Sequence, residues 1–278
     1  MQSQGFQPQQ MFVESKILIV EFIGTFALTY IGSWAIIYND IAMITNTGVA
    51  LATALTALVF TIFAIPISGA HFNPAITLSM VVAKRVDWTS ATFYMMAQFL
   101  GAIVGAGFIF IQLNSDISKQ INDLSGLGVP HPSNPKYDVS PFWGEAIGSF
   151  FIMYAYIALV ADSTKNQTEK IGAAAFAFAI FFTTMTVGEI SGAGLNPARS
   201  LAPAIVSGMF SKMQFVHFLG PIVGCLLSTV VYRSVYVDDE EDAKDPALKK
   251  LESDENQQIL AGNANAAPEG IELTEIKK

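Results

Sequence analysis

The sequence has little charge and almost no cysteine: 14% of its 278 residues are Asp, Glu, Lys or Arg, and Cys225 is the single thiol. One cysteine excludes an intramolecular disulfide framework, so cysteine usage says nothing about compartment. The three histidines stand in unlike contexts without clustered Cys or Asp partners, which leaves an enzyme, a metal site or a bound cofactor without support. A basic stripe is absent too, and nucleic-acid binding is set aside. The net charge of −8 belongs mostly to one end, because Asp238 to Lys278 holds twelve acids and five bases. What fills the remainder is apolar: mean hydropathy is +0.45, and the apolar residues come in blocks about as long as a bilayer is thick. The expected fold class is therefore an all-α, multi-pass integral membrane protein in contact with lipid.

Residues 1–13 are Gln-rich, lack the charged start and cleavage site of a signal peptide, and are read as a short disordered lead. Full spans are expected at about Lys16 to Tyr38, Thr47 to Pro66 and Ala91 to Leu113. Between the second and third, Gly69, Asn73 and Pro74 interrupt the apolar run, and only Pro74 to Ala83 follow before Lys84 and Arg85. Ten helical residues reach about 15 Å, half of a hydrocarbon core of about 30 Å. The segment is expected to be a half-helix, since broken backbone at that depth survives only against protein or a cavity. A connection rich in Pro, Ser and Asp leads to Ser140.

The pattern then repeats. Glu21-Phe-Ile-Gly-Thr-Phe is echoed by Glu145-Ala-Ile-Gly-Ser-Phe, and Phe99-Leu-Gly-Ala-Ile-Val-Gly by Phe218-Leu-Gly-Pro-Ile-Val-Gly. Ile67-Ser-Gly-Ala-His-Phe-Asn-Pro-Ala-Ile-Thr is echoed by Ile190-Ser-Gly-Ala-Gly-Leu-Asn-Pro-Ala-Arg-Ser. Each repeat, at about 14–113 and 141–235, carries three spans, an odd number, so the second enters from the opposite face. Six spans and two re-entrant half-helices in an inverted repeat result, with the half-helices meeting at mid-bilayer over a domain of residues 14–235. Residues 236–278 read as an acidic, disordered tail. Lys16, Lys84, Arg85, Lys165, Lys170 and Arg233 fall on the side of the termini, against Lys119, Lys136 and Lys212 opposite, so the termini are expected to be cytoplasmic. The sequon Asn166-Gln-Thr168 then faces the cytoplasm and is expected to stay unmodified. Plasma and vacuolar membranes are not told apart.

Asn followed by Pro suits a helix start, Asn as the cap and Pro in the first turn. Two ordinary caps would not explain repeat-related positions inside apolar segments. With their carbonyls engaged in capping, Asn73 and Asn196 can each turn an NH₂ donor into a lumen, holding a water oxygen and interrupting the chain of water-to-water bonds. Arg199 sits in the first turn of the second half-helix, where a cation opposes the dipole, while Ile76 holds the equivalent place in repeat one. It is expected to face the lumen rather than snorkel to a headgroup. Glu21 and Glu145 are acids deep in spans, and their symmetry favours carboxylates that accept bonds from the freed backbone of the broken loops. A proton relay is the alternative. His71 either presents its ring to the lumen or packs as a satisfied histidine. Gly101 with Gly105, and Gly220 with Gly224, form faces for close packing of spans three and six.

Both triplets, Asn73-Pro74-Ala75 and Asn196-Pro197-Ala198, with their flanks and the surrounding repeat, resemble the aquaporin or major intrinsic protein family. The resemblance implies a passive channel for water that excludes protons and ions, and a homotetramer with one pore per subunit. It also implies a four-residue selectivity filter, which by spacing from the two Asn falls on Thr53, Thr184, Ala193 and Arg199. Water-selective members resemble Phe, His, a small residue and Arg there, and glycerol facilitators Trp, Gly, Phe and Arg; this chain matches neither. Two threonines in place of rings widen the constriction and offer two hydroxyls to a solute. Ser200 after the second triplet is what water channels carry, whereas glycerol facilitators carry Asp. The leading expectation is a water channel, and the alternative is a facilitator of small neutral solutes such as glycerol, urea, ammonia or hydrogen peroxide. A proton-coupled transporter, or a closed junctional protein plugged by its cytoplasmic ends or by residues 162–170, is the alternative of another class. Mercurials block many relatives through a cysteine where this chain has Ala193, so weak mercury sensitivity is expected.

Overall fold

The computed structural model describes residues 8–113, 126–132, 139–161, 169–210 and 213–236. Every regular element among them is helical: α1 Pro8–Asp40, α2 Asn46–Ser68, α3 Pro74–Val82, α4 Trp88–Gln112, α5 Ser140–Tyr156, α6 Glu169–Ser191, α7 Pro197–Ser207 and α8 Gln214–Tyr236. A π-helical turn, Ile157–Ala161, continues α5. Six of these segments are long and apolar enough to cross a membrane, and the two short ones, α3 and α7, are the half-helices. The acidic tail from residue 237, the loop 162–168 with its sequon, and Lys119, Lys136, Lys165 and Lys212 lie outside the described residues.

The first helix corrects one expectation. It begins at Pro8, so residues 8–13 of the lead are helical. Proline fits the first turn, where its missing N–H has no partner to lose, and the Gln and Met that follow are good helix formers. The second helix runs on past Pro66 to Ser68 and ends on Gly69 at φ 81°, a left-handed cap that glycine adopts without a Cβ penalty.

Packing follows the small residues. At Gly105 a Cβ would stand 2.9 Å from the Phe26 carbonyl of α1, and at Gly220 it would stand 2.6 Å from Glu145 Cβ of α5. Both are nearer than real Cβ atoms come, so the two Gly-xxx-Gly faces set α4 on α1 and α8 on α5 in backbone contact. Between α4 and α7 the buried cluster is Ala102, Ala106, Ala198 and Ala202, which brings the second half-helix close to its support. Leu127, from the segment 126–132, is buried against Ile37 and Ile109.

Candidate pore and its two Asn-Pro-Ala turns

The two broken loops are built alike. In the first, Gly69, Ala70 and Phe72 have φ of 81°, 61° and 50°; in the second, Gly192, Ala193 and Leu195 have 90°, 49° and 53°. Four of these carry side chains, and each such left-handed residue costs on the order of 1–3 kcal/mol. The alternation makes successive N–H groups converge as an anion-holding nest, and in each loop a buried glutamate occupies it. Glu21 accepts from His71 N at 3.0 Å, Phe72 N at 2.7 Å, Ser68 Oγ at 2.6 Å and Gln98 Nε2 at 2.8 Å. Glu145 accepts from Gly194 N at 2.7 Å, Leu195 N at 2.6 Å and Ser191 Oγ at 2.5 Å. Both carboxylates are fully buried. Each therefore supplies acceptors for backbone that no helix satisfies.

These bonds aim the next residue of each loop. Asn73 Oδ1 caps α3 through Ala75 N at 2.9 Å, and Asn196 Oδ1 caps α7 through Ala198 N at 3.0 Å. Since the oxygens accept from N–H groups, the amide nitrogens are placed without ambiguity. Asn73 Nδ2 donates to the Leu195 carbonyl at 2.9 Å, and Asn196 Nδ2 donates to the Phe72 carbonyl at 2.7 Å. This departs from the expectation of two free NH₂ groups. One N–H of each amide is spent on the opposite loop, and one remains for a solute.

Both Asn residues line a single cavity of about 60 Å³, and Thr53, Thr184, Ala193, Arg199 and His71 line it with them. That volume is enough for a short file of water molecules. The rest of its wall is apolar, with Leu28, Ile76, Ile152 and Phe176 among the lining residues. Glu21 and Glu145 stand outside it, behind the loops. Thr53 departs from expectation as well: its hydroxyl donates to the Val49 carbonyl of its own helix at 2.9 Å, leaving lone pairs but no donor for the cavity. Arg199 is buried, and its Nη1 has no hydrogen-bond partner among the described residues. For His71 the two alternatives are not exclusive in this geometry. Its ring lines the cavity while packing 4.9 Å from the Tyr94 ring, and Nδ1 lies 3.0 Å from Thr77 Oγ1.

Several residues escaped the sequence reading. Ser68 and Ser191 hold the two glutamates, and both stood in the repeated Ile-Ser-Gly-Ala. Gly32 of α1 lies beside the expected filter, since a Cβ there would be 3.6 Å from Arg199 Nε and 3.7 Å from Thr53 Oγ1. Its repeat counterpart, eleven positions after Glu145 as Gly32 is after Glu21, is Tyr156, whose hydroxyl donates to the Gly69 carbonyl at 2.8 Å. Aligning whole spans on the two glutamates would have found this pair.

The comparisons agree with this geometry. A family model described as "Major intrinsic protein" matches residues 9–232. Aquaporin NIP2-3 of Zea mays is 31% identical over 256 residues, covering 91% of this chain and 81% of that protein. Probable aquaporin TIP2-2 of Oryza sativa subsp. japonica is 33% identical over 232 residues, with 80% and 88% covered. Among solved structures, the X-ray structure of the aquaglyceroporin from Plasmodium falciparum has a TM-score of 0.70 at 23% identity, covering 80% of this chain and 96% of that one, a likeness of fold. With its inverted pair of Asn-Pro-Ala turns and a family match over most of its length, the chain belongs to the major intrinsic protein family of membrane channels.

Proposed function

We propose that the chain conducts water passively along osmotic gradients and excludes protons and ions. The observation that carries this reading is the one cavity shared by Asn73, Asn196 and Arg199. Each half-helix directs a positive end, equivalent to about +0.5 charge, at its own Asn, and each Asn keeps one N–H. A water oxygen held by both donors would turn its hydrogens outward along the file, so no continuous chain of like-oriented bonds passes the centre. Arg199 adds a full positive charge on the same lumen, which repels cations. Neutral solutes meet neither barrier.

A second reading, facilitation of small neutral solutes, is favoured by the filter positions themselves. Thr53, Thr184 and Ala193 carry no aromatic ring, so width there is set by threonine methyls and hydroxyls rather than by rings. The proton-coupled alternative is disfavoured by the glutamates, whose oxygens are taken up by loop N–H groups and serine hydroxyls. Cytoplasmic termini follow from the distribution of Lys and Arg, and a homotetramer with one pore per subunit is the assembly proposed by family likeness.

Stopped-flow light scattering on proteoliposomes tests the reading. Fast shrinkage in an impermeant sugar with no urea or glycerol entry supports a water channel; fast entry of either solute moves the protein to the wider class. Absence of both fluxes in correctly inserted protein would overturn the channel reading.

A further inference from the structure

Asn46 and Gly188 lie outside the cavity that holds the proposed filter. Asn46 opens α2, and its Nδ2 donates to the Met185 carbonyl of α6 at 3.2 Å. Among the described residues this is the only hydrogen bond joining α2 to α6. Gly188 is the place where the same amide rests: a Cβ there would stand 2.7 Å from Nδ2 and 2.8 Å from Cγ of Asn46, nearer than real Cβ atoms come. Elsewhere the two helices face each other across an apolar groove, with Leu51, Leu55 and Leu58 on one side and Ala174, Ala177 and Phe181 on the other. Apolar contacts of that kind tolerate changes of spacing. A hydrogen bond over a missing side chain does not.

The register places this tie over the filter. Thr53 follows Asn46 by seven residues, two turns along the same face of α2, and Thr184 precedes Gly188 by four, one turn along α6. The seam that Asn46 and Gly188 pin therefore continues into the wall that carries both threonines.

We propose that Asn46 and Gly188 are specificity-determining positions: by fixing the separation of α2 and α6, they set the size of the largest neutral solute that passes Thr53 and Thr184. The proposal rests on the reading of those threonines as the constriction. It adds two residues that do not line the filter cavity and act through helix spacing.

The test is the ratio of urea to water permeability of the full-length protein in proteoliposomes. Once the permeability of protein-free liposomes is subtracted from each flux, the ratio cancels the number of working channels, so poor folding alone leaves it unmoved. Gly188→Ala wedges the helices apart and is expected to raise the ratio about fivefold, the factor that about 1 kcal/mol in the urea barrier produces. Asn46→Ala, which removes a half-buried amide and carries the test by itself if Gly188→Ala fails to assemble, raises it in the same direction. In the double variant the new methyl occupies the space of the lost amide, and the ratio falls below that of either single variant. Thr184→Ala serves as the control that opens the constriction directly. If Thr184→Ala raises the ratio while both single variants leave it unchanged, the proposal is overturned and the constriction stands. If Thr184→Ala leaves it unchanged as well, the constriction itself is refuted, and the proposal with it.

Discussion

Replacing Glu145 by Gln changes one oxygen to NH₂ and nothing in size, which makes it the sharpest test of what the buried acids do. In the wild type Oε1 accepts from Ser191 Oγ and Gly194 N, and Oε2 from Leu195 N. A glutamine can keep its oxygen on the first pair, but its NH₂ then faces the Leu195 N–H, donor against donor, in a fully buried place. Two donors left unsatisfied cost about 1–3 kcal/mol each, and the two surviving bonds weaken from the charged to the neutral range. A loss of about 4 kcal/mol is a large part of the roughly 5–15 kcal/mol that holds a typical domain. The second loop also aims Asn196 and Arg199, so the variant is expected to lower both thermal stability in detergent and the fraction of protein that conducts. The assays are a melting curve and water permeability per inserted molecule, measured across pH 5 to 8. The reasoning predicts reduced yield and flat pH dependence. It is refuted if Glu145→Gln melts like the wild type while solute flux disappears in a strongly pH-dependent way, because the carboxylate would then be carrying protons rather than backbone.

Arg199→Ala removes the cation whose Nη1 has no hydrogen-bond partner among the described residues; proton and sodium leak in ion-loaded vesicles is expected to rise, and an unchanged leak would assign exclusion to the half-helix ends alone. Asn196→Ala takes away the cap bond to Ala198 N and the cross-loop bond to the Phe72 carbonyl, so water permeability per molecule is expected to fall at least tenfold, a barrier of about 1.4 kcal/mol. Mercurials are expected to inhibit weakly, since Cys225 is buried with its thiol directed at the Ser149 carbonyl. Strong, reversible block that survives Cys225→Ser would contradict this, there being no other thiol in the sequence.

The architecture was legible because the bilayer imposes it. Lengths of apolar runs, an odd number of spans per repeat and two Asn-Pro turns inside apolar sequence leave few alternatives, and the helices begin and end close to the expected residues. Helix ends moved where local chemistry outweighed hydropathy, as at Pro8 and beyond Pro66. At the site, the sequence led correctly to the buried glutamates as partners of broken backbone, because the repeat put the same acid beside the same break twice. It could not show where hydroxyl and amide hydrogens go. Thr53 spends its proton on Val49, and each Asn spends one on the opposite loop, choices made by atoms one turn or half a chain away. Asn46 over Gly188 is of the same kind: neither residue is unusual for its own helix, and only the approach of α2 to α6 joins them.

The crossed bonds from Asn73 to the Leu195 carbonyl and from Asn196 to the Phe72 carbonyl also bear on how the protein is made. A ribosome that has delivered the first repeat to the membrane has produced an Asn73 amide and a Phe72 carbonyl whose partners are still some 120 residues from synthesis. Until the second half arrives, the first loop is a half-finished polar surface in a medium that offers it no substitute. The two halves complete one another in the manner of an isologous contact between two copies, so neither crossed bond can close before both loops are in the membrane. A product truncated after the first repeat would lack both partners, the Leu195 carbonyl and the Asn196 amide.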